Sequence, residues 1–382
     1  MINSNSNALG IVFPNTYDAM VPNLANVRLM ASIPFASRYR MIDFVLSSMS
    51  SCGIDNIAVM VNRNYHSLTD HLGSGREWDL VRKNGGLHIF PPYANNTAGS
   101  KPYTGRVSAI AGILDWLRRQ KEQYVVIADA YIAATFNFNK LIEAHQATGA
   151  DVTIVYKKQE IPEEVLNNTD HSKGFYYTLI EENGRVKNIY VNPKNKGEQN
   201  FSMNCYCISR QLLIDEINTA FVRGQEYFER DVLLPQLGRL NVQAYEFKGY
   251  AARIMGLKSY YDESMKLLKD ENLDALFANG PVYTKIRDDN PTRYIEGAIA
   301  KNVMVADGCV IEGDIEDSIL FRGVVVEKGA KVKNCVLMQD TVVKAGADIE
   351  YVICDKDVTF TPYKEVKGTD SFPVYVAKGQ TV

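Results

Sequence analysis

The residues of this chain that could do chemistry are few, and the best placed of them are incomplete as sites. The apolar run Ala8 to Phe13 reads as a buried strand. The loop after it, Asn15-Thr16-Tyr17-Asp18-Ala19-Met20, sits where α/β proteins place a phosphate-binding turn. Such a turn needs glycines, because only a bare backbone lets its N–H groups approach phosphate oxygens closely. This loop has none, and Asp18 puts a negative charge where phosphates would lie. A second candidate is Asp129, the carboxylate that ends the strand-like run Glu122 to Asp129. A lone carboxylate is a poor magnesium site, since that ion takes several oxygen ligands in octahedral order. His66 and His71 are five apart, awkward for joint ligation from one helix, so surface or capping roles are expected. The six cysteines contain no CxxC pair and read as reduced, buried thiols. Cys205 and Cys207 should point to one face of a strand as core filler.

Elements must position these groups. Ile54 to Val61, Glu122 to Asp129 and Asp151 to Lys157 read as strands, Val107 to Gln120 and Phe138 to Gly149 as helices, and Asn192 to Asn200 as an exposed loop. Alternation of this kind implies βαβ units and a doubly wound, mostly parallel sheet. In Val107 to Gln120 the residues Ile110, Ile113, Leu114 and Leu117 form a core stripe.

After Tyr294 the pattern changes. Val305 to Ile311 (VADGCVI), Val326 to Val332 (VEKGAKV) and Val343 to Ile349 (VKAGADI) share one form, and the second and third copies are 17 positions apart. Hexapeptide-built repeats at that period predict a parallel β-helix, each coil stacking its apolar side chains on the next. The expected organisation is an α/β domain over 1–276, a linker over 277–292 and a β-helix over 293–382. A repeat domain that holds subunits together should be removable from about residue 292 while sparing the first fold.

With 382 residues, 46% hydrophobic and 23% charged, the chain has the composition of an ordinary globular protein of two domains. A net charge of −3 gives no pull toward nucleic acid or anionic membranes. No apolar run is long enough to span a bilayer and no basic leader precedes one, so a cytoplasmic location is expected.

The segment Phe35 to Ile54, FASRYRMIDFVLSSMSSCGI, resembles the F-G-G-K-[YF]-R-[IL]-I-D-F-x-L-S-N-x-x-x-S-G-I run of the glucose-1-phosphate adenylyltransferases. EQYVVIADAYI is similar to that family's strand ending in A-G-D-H-I-Y, and FSMNCYCIS to its S-M-G-[IN]-Y-x-F strand. The repeats resemble its left-handed β-helix. The resemblance covers nearly the whole chain and implies a nucleotidyltransferase-like fold. The family's reaction is attack of a glucose 1-phosphate oxygen on the α-phosphorus of ATP. Such transfer needs positioning, magnesium on carboxylates and cations over the developing charge.

Set onto the family's motifs, most of that machinery is replaced. The loop arginine of G-G-x-G-T-R falls on Met20, the lysine of K-P-A on Met30, and the aspartate of G-T-A-D-A on Ser108. The lysine of E-K-P falls on Asn192. Asp129 matches one metal-binding aspartate, and the second, in Y-W-R-D-V-G, falls on Ile254 or Arg253. Removing one preorganised charge stabiliser typically costs about a hundred- to a thousandfold in turnover, so the combined losses leave little machinery unless Arg106 or Arg28 compensates. Tyr103 and Gly105 match the nucleotide-side Y-R-G-T positions, and Ser202 and Tyr206 the glucose-contacting strand, so a vestigial substrate pocket is expected. Arg28 matches one of the basic residues that help bind anionic activators in catalytic relatives. The resemblance is to the family's D-type regulatory subunits. It implies a non-catalytic or weakly catalytic chain that works with a catalytic paralogue in a hetero-oligomer, a tetramer, with an anionic sugar-phosphate effector and no bound Mg2+. The competing expectation is an active adenylyltransferase with an atypical site. An acyltransferase, the other common tenant of β-helices, needs a histidine base, and the repeats contain none.

Overall fold

The computed structural model describes residues 7–92, 103–167 and 174–382. Its α/β domain is built on a nine-stranded sheet. In chain order the strands are β1 (Ala8–Phe13), β2 (Asn56–Met60), β3 (Gly86–Phe90), β4 (Tyr124–Asp129), β5 (Val152–Glu160), β6 (Tyr177–Glu182), β7 (Arg185–Val191), β8 (Glu198–Ser209) and β9 (Val242–Glu246). Their spatial order is β3-β2-β1-β4-β8-β5-β9-β7-β6. The first four are parallel, as their uninterrupted apolar runs require when both faces are covered. Beyond them the sheet is mixed. β8 runs antiparallel between β4 and β5, β9 is parallel to β5, and β6 and β7 form an antiparallel hairpin at the edge. The expected loop 192–200 is shorter than its sequence suggests, because Glu198 already begins β8.

Alternation along β8 separates two cores. Cys205 and Cys207 enter the core on one face of the sheet, and Tyr206 and Ile208 the core on the other. The expected helix over 107–120 is instead two, Arg106–Ala111 (α2) and Leu114–Arg119 (α3), with α1 (Met41–Ser51) before them. Gly112 and Ile113 interrupt it: Ile113 leaves helical geometry at φ −117° and ψ 12°, and glycine is the residue that least resists a break. Ile110, Ile113, Leu114 and Leu117 are nonetheless all buried, so the stripe survives the break. α4 (Phe138–Ala147) follows β4, and α5 (Leu257–Lys266) follows the short strand Ala252–Arg253.

The C-terminal region is a stack of parallel coils with three faces. One face stacks Val310–Ile311, Val325–Val326, Val342–Val343 and Thr359–Phe360, burying Ile311, Val326, Val343 and Phe360. A second stacks Asp314–Glu316, Lys331–Lys333, Asp348–Glu350 and Glu365–Lys367. Val326 opposes Val343 and Lys331 opposes Asp348, the 17-residue register expected from the repeats. The first copy, however, stands at another corner. Its Gly308 lies beside Gly323, in a column continued by Asp340, while Gly329 and Gly346 of the later copies form a column with Tyr363. A third column holds Asn302, Asp317, Asn334 and Tyr351. All these corner residues have positive φ, which suits Gly, Asn and Asp far better than other residues.

The third face of the stack is not free. Ile319, Phe321, Val336, Met338 and Ile353 join the same buried cluster as Leu24, Met30, Phe35, Tyr260 and Tyr261 of the α/β domain. Arg28 seals this junction, its buried guanidinium donating through Nη2 to both oxygens of Asp355 at 2.7 and 2.9 Å. The two domains therefore share one core. Removing the chain beyond residue 292 would expose that shared core, so this packing speaks against the expectation that the first fold would be spared.

Candidate functional site: a cleft closed by the chain's own side chains

A cleft of about 280 Å³ opens at the ends of β1 and β2, among Tyr17, Asn62, Tyr103, Arg106, Phe175 and Tyr227. Its first closure is Tyr17, from the loop without glycines. Tyr17 sits at φ 67° and turns its ring inward. Its hydroxyl donates to the Phe175 carbonyl at 2.8 Å across the cleft and receives the Asn204 side-chain amide at 3.1 Å. Asp18 folds the same loop down by accepting the Met30 N–H at 2.6 Å. Burial pushes its carboxyl up to about 8, with the Met30 hydrogen bond acting the other way.

The second closure is an ion triad. Arg106, in the first turn of α2, reaches Asp129 Oδ2 through Nη2 at 2.5 Å and Glu229 Oε1 through Nη1. The Tyr206 hydroxyl donates to the same Glu229 oxygen at 2.7 Å, and Asn204 donates to Asp129 at 3.0 Å. Burial alone would weaken the guanidinium, but the two carboxylates hold it charged, well above its usual range. Burial likewise raises the Asp129 carboxyl while Arg106 pulls it back. Arg106 thus does for Asp129 what a bound cation would do elsewhere.

The residues singled out in the sequence are distributed unevenly about this centre. Tyr103 lines the cleft and donates its hydroxyl to the Met60 carbonyl at 2.6 Å. Gly105 is required because a Cβ there would come within 2.2 Å of the Glu226 carbonyl oxygen. Tyr206 lies beneath the triad. Ser202 stands apart: its hydroxyl receives the Asn204 N–H at 3.1 Å and its carbonyl receives Arg253 at 2.8 Å. Ser108, in the first turn of α2, donates its hydroxyl to the Gly105 carbonyl at 3.1 Å. Met20 packs partly buried against the core, Met30 and Ile254 are fully buried, and Asn192 accepts the Tyr176 N–H at 2.9 Å. Around Asp129 no second carboxylate is supplied from the 253–254 position. Among the described residues no group of three or more His, Cys, Asp or Glu side chains gathers as a metal-binding set. Glu229 and Asn204 were not legible as site residues, since they reach the centre only through the packing of β8 and the turn 228–233, and Tyr17 was legible only as a member of the glycine-free loop.

Arg28, expected to face an anion, is buried against Asp355 instead. The cations that do face a cavity lie next to it. Arg38, Arg40, Lys285, Arg287, Arg322 and Lys356 line a pocket of about 260 Å³ between the domains. Arg322 is buried there with Nε and Nη2 lacking hydrogen-bond acceptors. Burial, together with the charges of Arg40 and Arg28, pushes the Lys356 ammonium down to about 7. His71 lines the same pocket. It is buried, not superficial, with Nε2 at 2.6 Å from Asp43 Oδ1, because the Asp43 carboxylate that also receives the Arg40 N–H needs a second partner.

Comparison with known proteins agrees with this architecture. Residues 24–269 match the nucleotidyl transferase family model, and residues 286–371 the GlmU-like C-terminal hexapeptide model. The chain is 33% identical over 377 residues to the glycogen biosynthesis protein GlgD of Bacillus subtilis, covering 98% of this chain and 97% of that protein. It is 35% identical over 380 residues to GlgD of Geobacillus stearothermophilus, with the same coverage. Against the glucose-1-phosphate adenylyltransferase of Bacillus mycoides it is 30% identical over 371 residues, 95% of this chain and 94% of that protein. None of the helices is long and apolar enough to cross a membrane among the described residues. The chain belongs to the nucleotidyl transferase family, in the glycogen-biosynthesis group that includes GlgD proteins and glucose-1-phosphate adenylyltransferases.

Proposed function

We propose that this chain is a regulatory subunit of glucose-1-phosphate adenylyltransferase, itself non-catalytic or very weakly catalytic. It acts by assembling with a catalytic paralogue in a hetero-oligomer, a tetramer, in the cytoplasm. The observation that carries this reading is the occupation of the cleft by Arg106 and Tyr17. An incoming triphosphate would have to displace a buried guanidinium from two carboxylates and a tyrosine from its two hydrogen bonds. Leaving two buried carboxylates without their cation is costly. The donor set also does not fit magnesium. Asp129 is engaged by Arg106 and Asn204, and the 253–254 position offers an arginine and an isoleucine where a second carboxylate is needed.

The anionic sugar-phosphate effector belongs, on this reading, in the interdomain pocket rather than at Arg28. Six cations face that cavity from both domains, so an anion there would bear on how the domains sit together. Subunit and effector contacts of this kind bias a partner's equilibrium by typically about 1–3 kcal/mol, roughly 5- to 150-fold.

The experiment is a titration of this chain into a fixed amount of the catalytic paralogue, following ADP-glucose formation with and without fructose 1,6-bisphosphate. The expected result is a saturable rise in turnover or effector sensitivity and no product from this chain alone. A flat response at every ratio, with robust activity of the lone chain, would make it an active enzyme with an atypical site.

A further inference from the structure

Separate from the cleft and from the interdomain pocket, a third and larger cavity of about 670 Å³ lies between the end of β5 and helix α5. Its size falls within the range of small-molecule sites, about 300–1,000 Å³. Arg253 is its unusual wall residue. It is only 3% exposed, and its guanidinium lies 3.8 Å from the centre of the Phe201 ring. Nη1 donates to the Tyr131 hydroxyl at 2.6 Å and to the Ser202 carbonyl at 2.8 Å. Nε and Nη2 have no acceptor, and among the described residues the guanidinium makes no ion pair. Arg28 and Arg106 are matched by carboxylates, and even Arg322, whose Nε and Nη2 also lack acceptors, has Asp289 at 3.8 Å. A buried charge with neutral partners alone is strongly unfavourable, and an apolar residue of similar length would remove the cost.

The rest of the wall is charged but mostly engaged. Lys258 pairs with Asp262, and Lys266 with Glu263 at 2.6 Å. Glu164 receives the Ser259 N–H at 3.0 Å. Glu160 and Glu163 add acceptors to the same wall.

We propose that this cavity binds an anionic sugar, whose phosphate or carboxylate pairs with Arg253 and is attracted by the Lys258 ammonium on the same wall, and whose hydroxyls donate to the acidic wall. Nε and Nη2 lie covered beside the cavity, and a ligand that reached this edge would meet the fork that matches either anion through two parallel hydrogen bonds. The site is also connected to the cleft. Arg253 holds Tyr131, and the Tyr131 ring stands edge-on against Tyr17 with centroids 4.7 Å apart. A ligand on Arg253 therefore bears on the residue that closes the cleft. This site does not depend on the regulatory-subunit reading, and its test requires no partner.

The full-length chain is titrated by calorimetry with glucose 6-phosphate, with glucuronate and with glucose. Each is repeated in the Arg38→Ala variant, which weakens the interdomain pocket, and in Arg253→Met and Lys258→Ala. A charge-assisted pair is worth roughly tenfold or more in affinity. One or both anionic sugars should bind wild type and Arg38→Ala alike, at least about tenfold more weakly to Arg253→Met and measurably more weakly to Lys258→Ala. The two anions tell phosphate from carboxylate, and glucose should not bind. Hydrogen exchange in the 15–21 loop should slow when the ligand is present. Without ligand, Arg253→Met should melt no lower than wild type, since a buried unpaired charge is gone. Affinity in Arg253→Met within twofold of wild type, or no binding of either anion by Arg38→Ala, would overturn the proposal. Should Arg253→Met fail to fold, unchanged affinity in Lys258→Ala would do so.

Discussion

Asp18 concentrates the electrostatics of this cleft in one side chain. It stands in the loop after β1, is half-buried, and keeps its proton to about 8 because desolvation penalises the charged form. In the unfolded chain the same carboxyl ionises near the ordinary 3.8. Between those values the unfolded state binds fewer protons than the native one, so Asp18 makes stability fall as pH rises. Its neutral form is fully compatible with folding below the lower value, and the loss is complete once pH passes the upper one. Asp18→Asn keeps an oxygen for the Met30 N–H without the ionisation. Its urea midpoint relative to wild type should therefore be nearly unchanged at pH 4 and clearly higher at pH 8.5. A constant offset between the two proteins across that interval would show that Asp18 does not titrate in this way.

At the scale of elements, the coil stack depends on strict alternation between an apolar interior and a charged exterior. On its second face Ile315, Val332 and Ile349 point inward and are essentially unexposed. The outward rows alternate in sign: Lys301, Glu316, Lys333, Glu350 and Lys367 succeed one another along the stack, and Asp314, Lys331 and Asp348 beside them do the same. Glu316 bridges to Lys301 at 3.1 Å and to Lys333 at 3.3 Å. Neighbouring substitutions should thus differ sharply in cost. Ile349→Ala removes buried methyl groups that cannot be replaced by a shift of adjacent coils, and should cost about 2–5 kcal/mol. Glu350→Lys places like charges between Lys333 and Lys367 but in water, and should cost no more than about 1 kcal/mol, less at high salt. Equal costs in thermal and urea melts would refute this division.

For the whole molecule, the decisive contact is the one between domains. Arg28 and Asp355 are 327 positions apart in the chain and both almost fully buried at the shared core. Removing one partner of such a pair leaves an unmatched charge, so Asp355→Ala should destabilise the chain by about 3–5 kcal/mol. The loss should appear as one cooperative transition, because the cluster containing Ile319, Val336 and Ile353 is continuous with that of the α/β domain. Two separated unfolding steps, the first confined to residues beyond 292, would show that the domains stand independently.

The sequence determined on its own the features that follow from local periodicity. The strands β1, β2, β4 and β5, the helix α4 and the coil stack were legible because short apolar runs, apolar spacing at period 3.6 and repetition at 17 residues each reflect burial within one element. The absence of glycine from the loop after β1 was legible too, since it concerns only which residue stands at a given place. Tertiary structure alone decided what closes the cleft. Arg106, Asp129 and Glu229 come from three separate elements, and no spacing announces that one guanidinium will meet two carboxylates. It also sent Arg28 inward to Asp355, gathered cations of two domains around a neighbouring pocket, and left Arg253 buried without a carboxylate partner. Each of these is an electrostatic match between distant segments, settled by which charges packing brings together out of water.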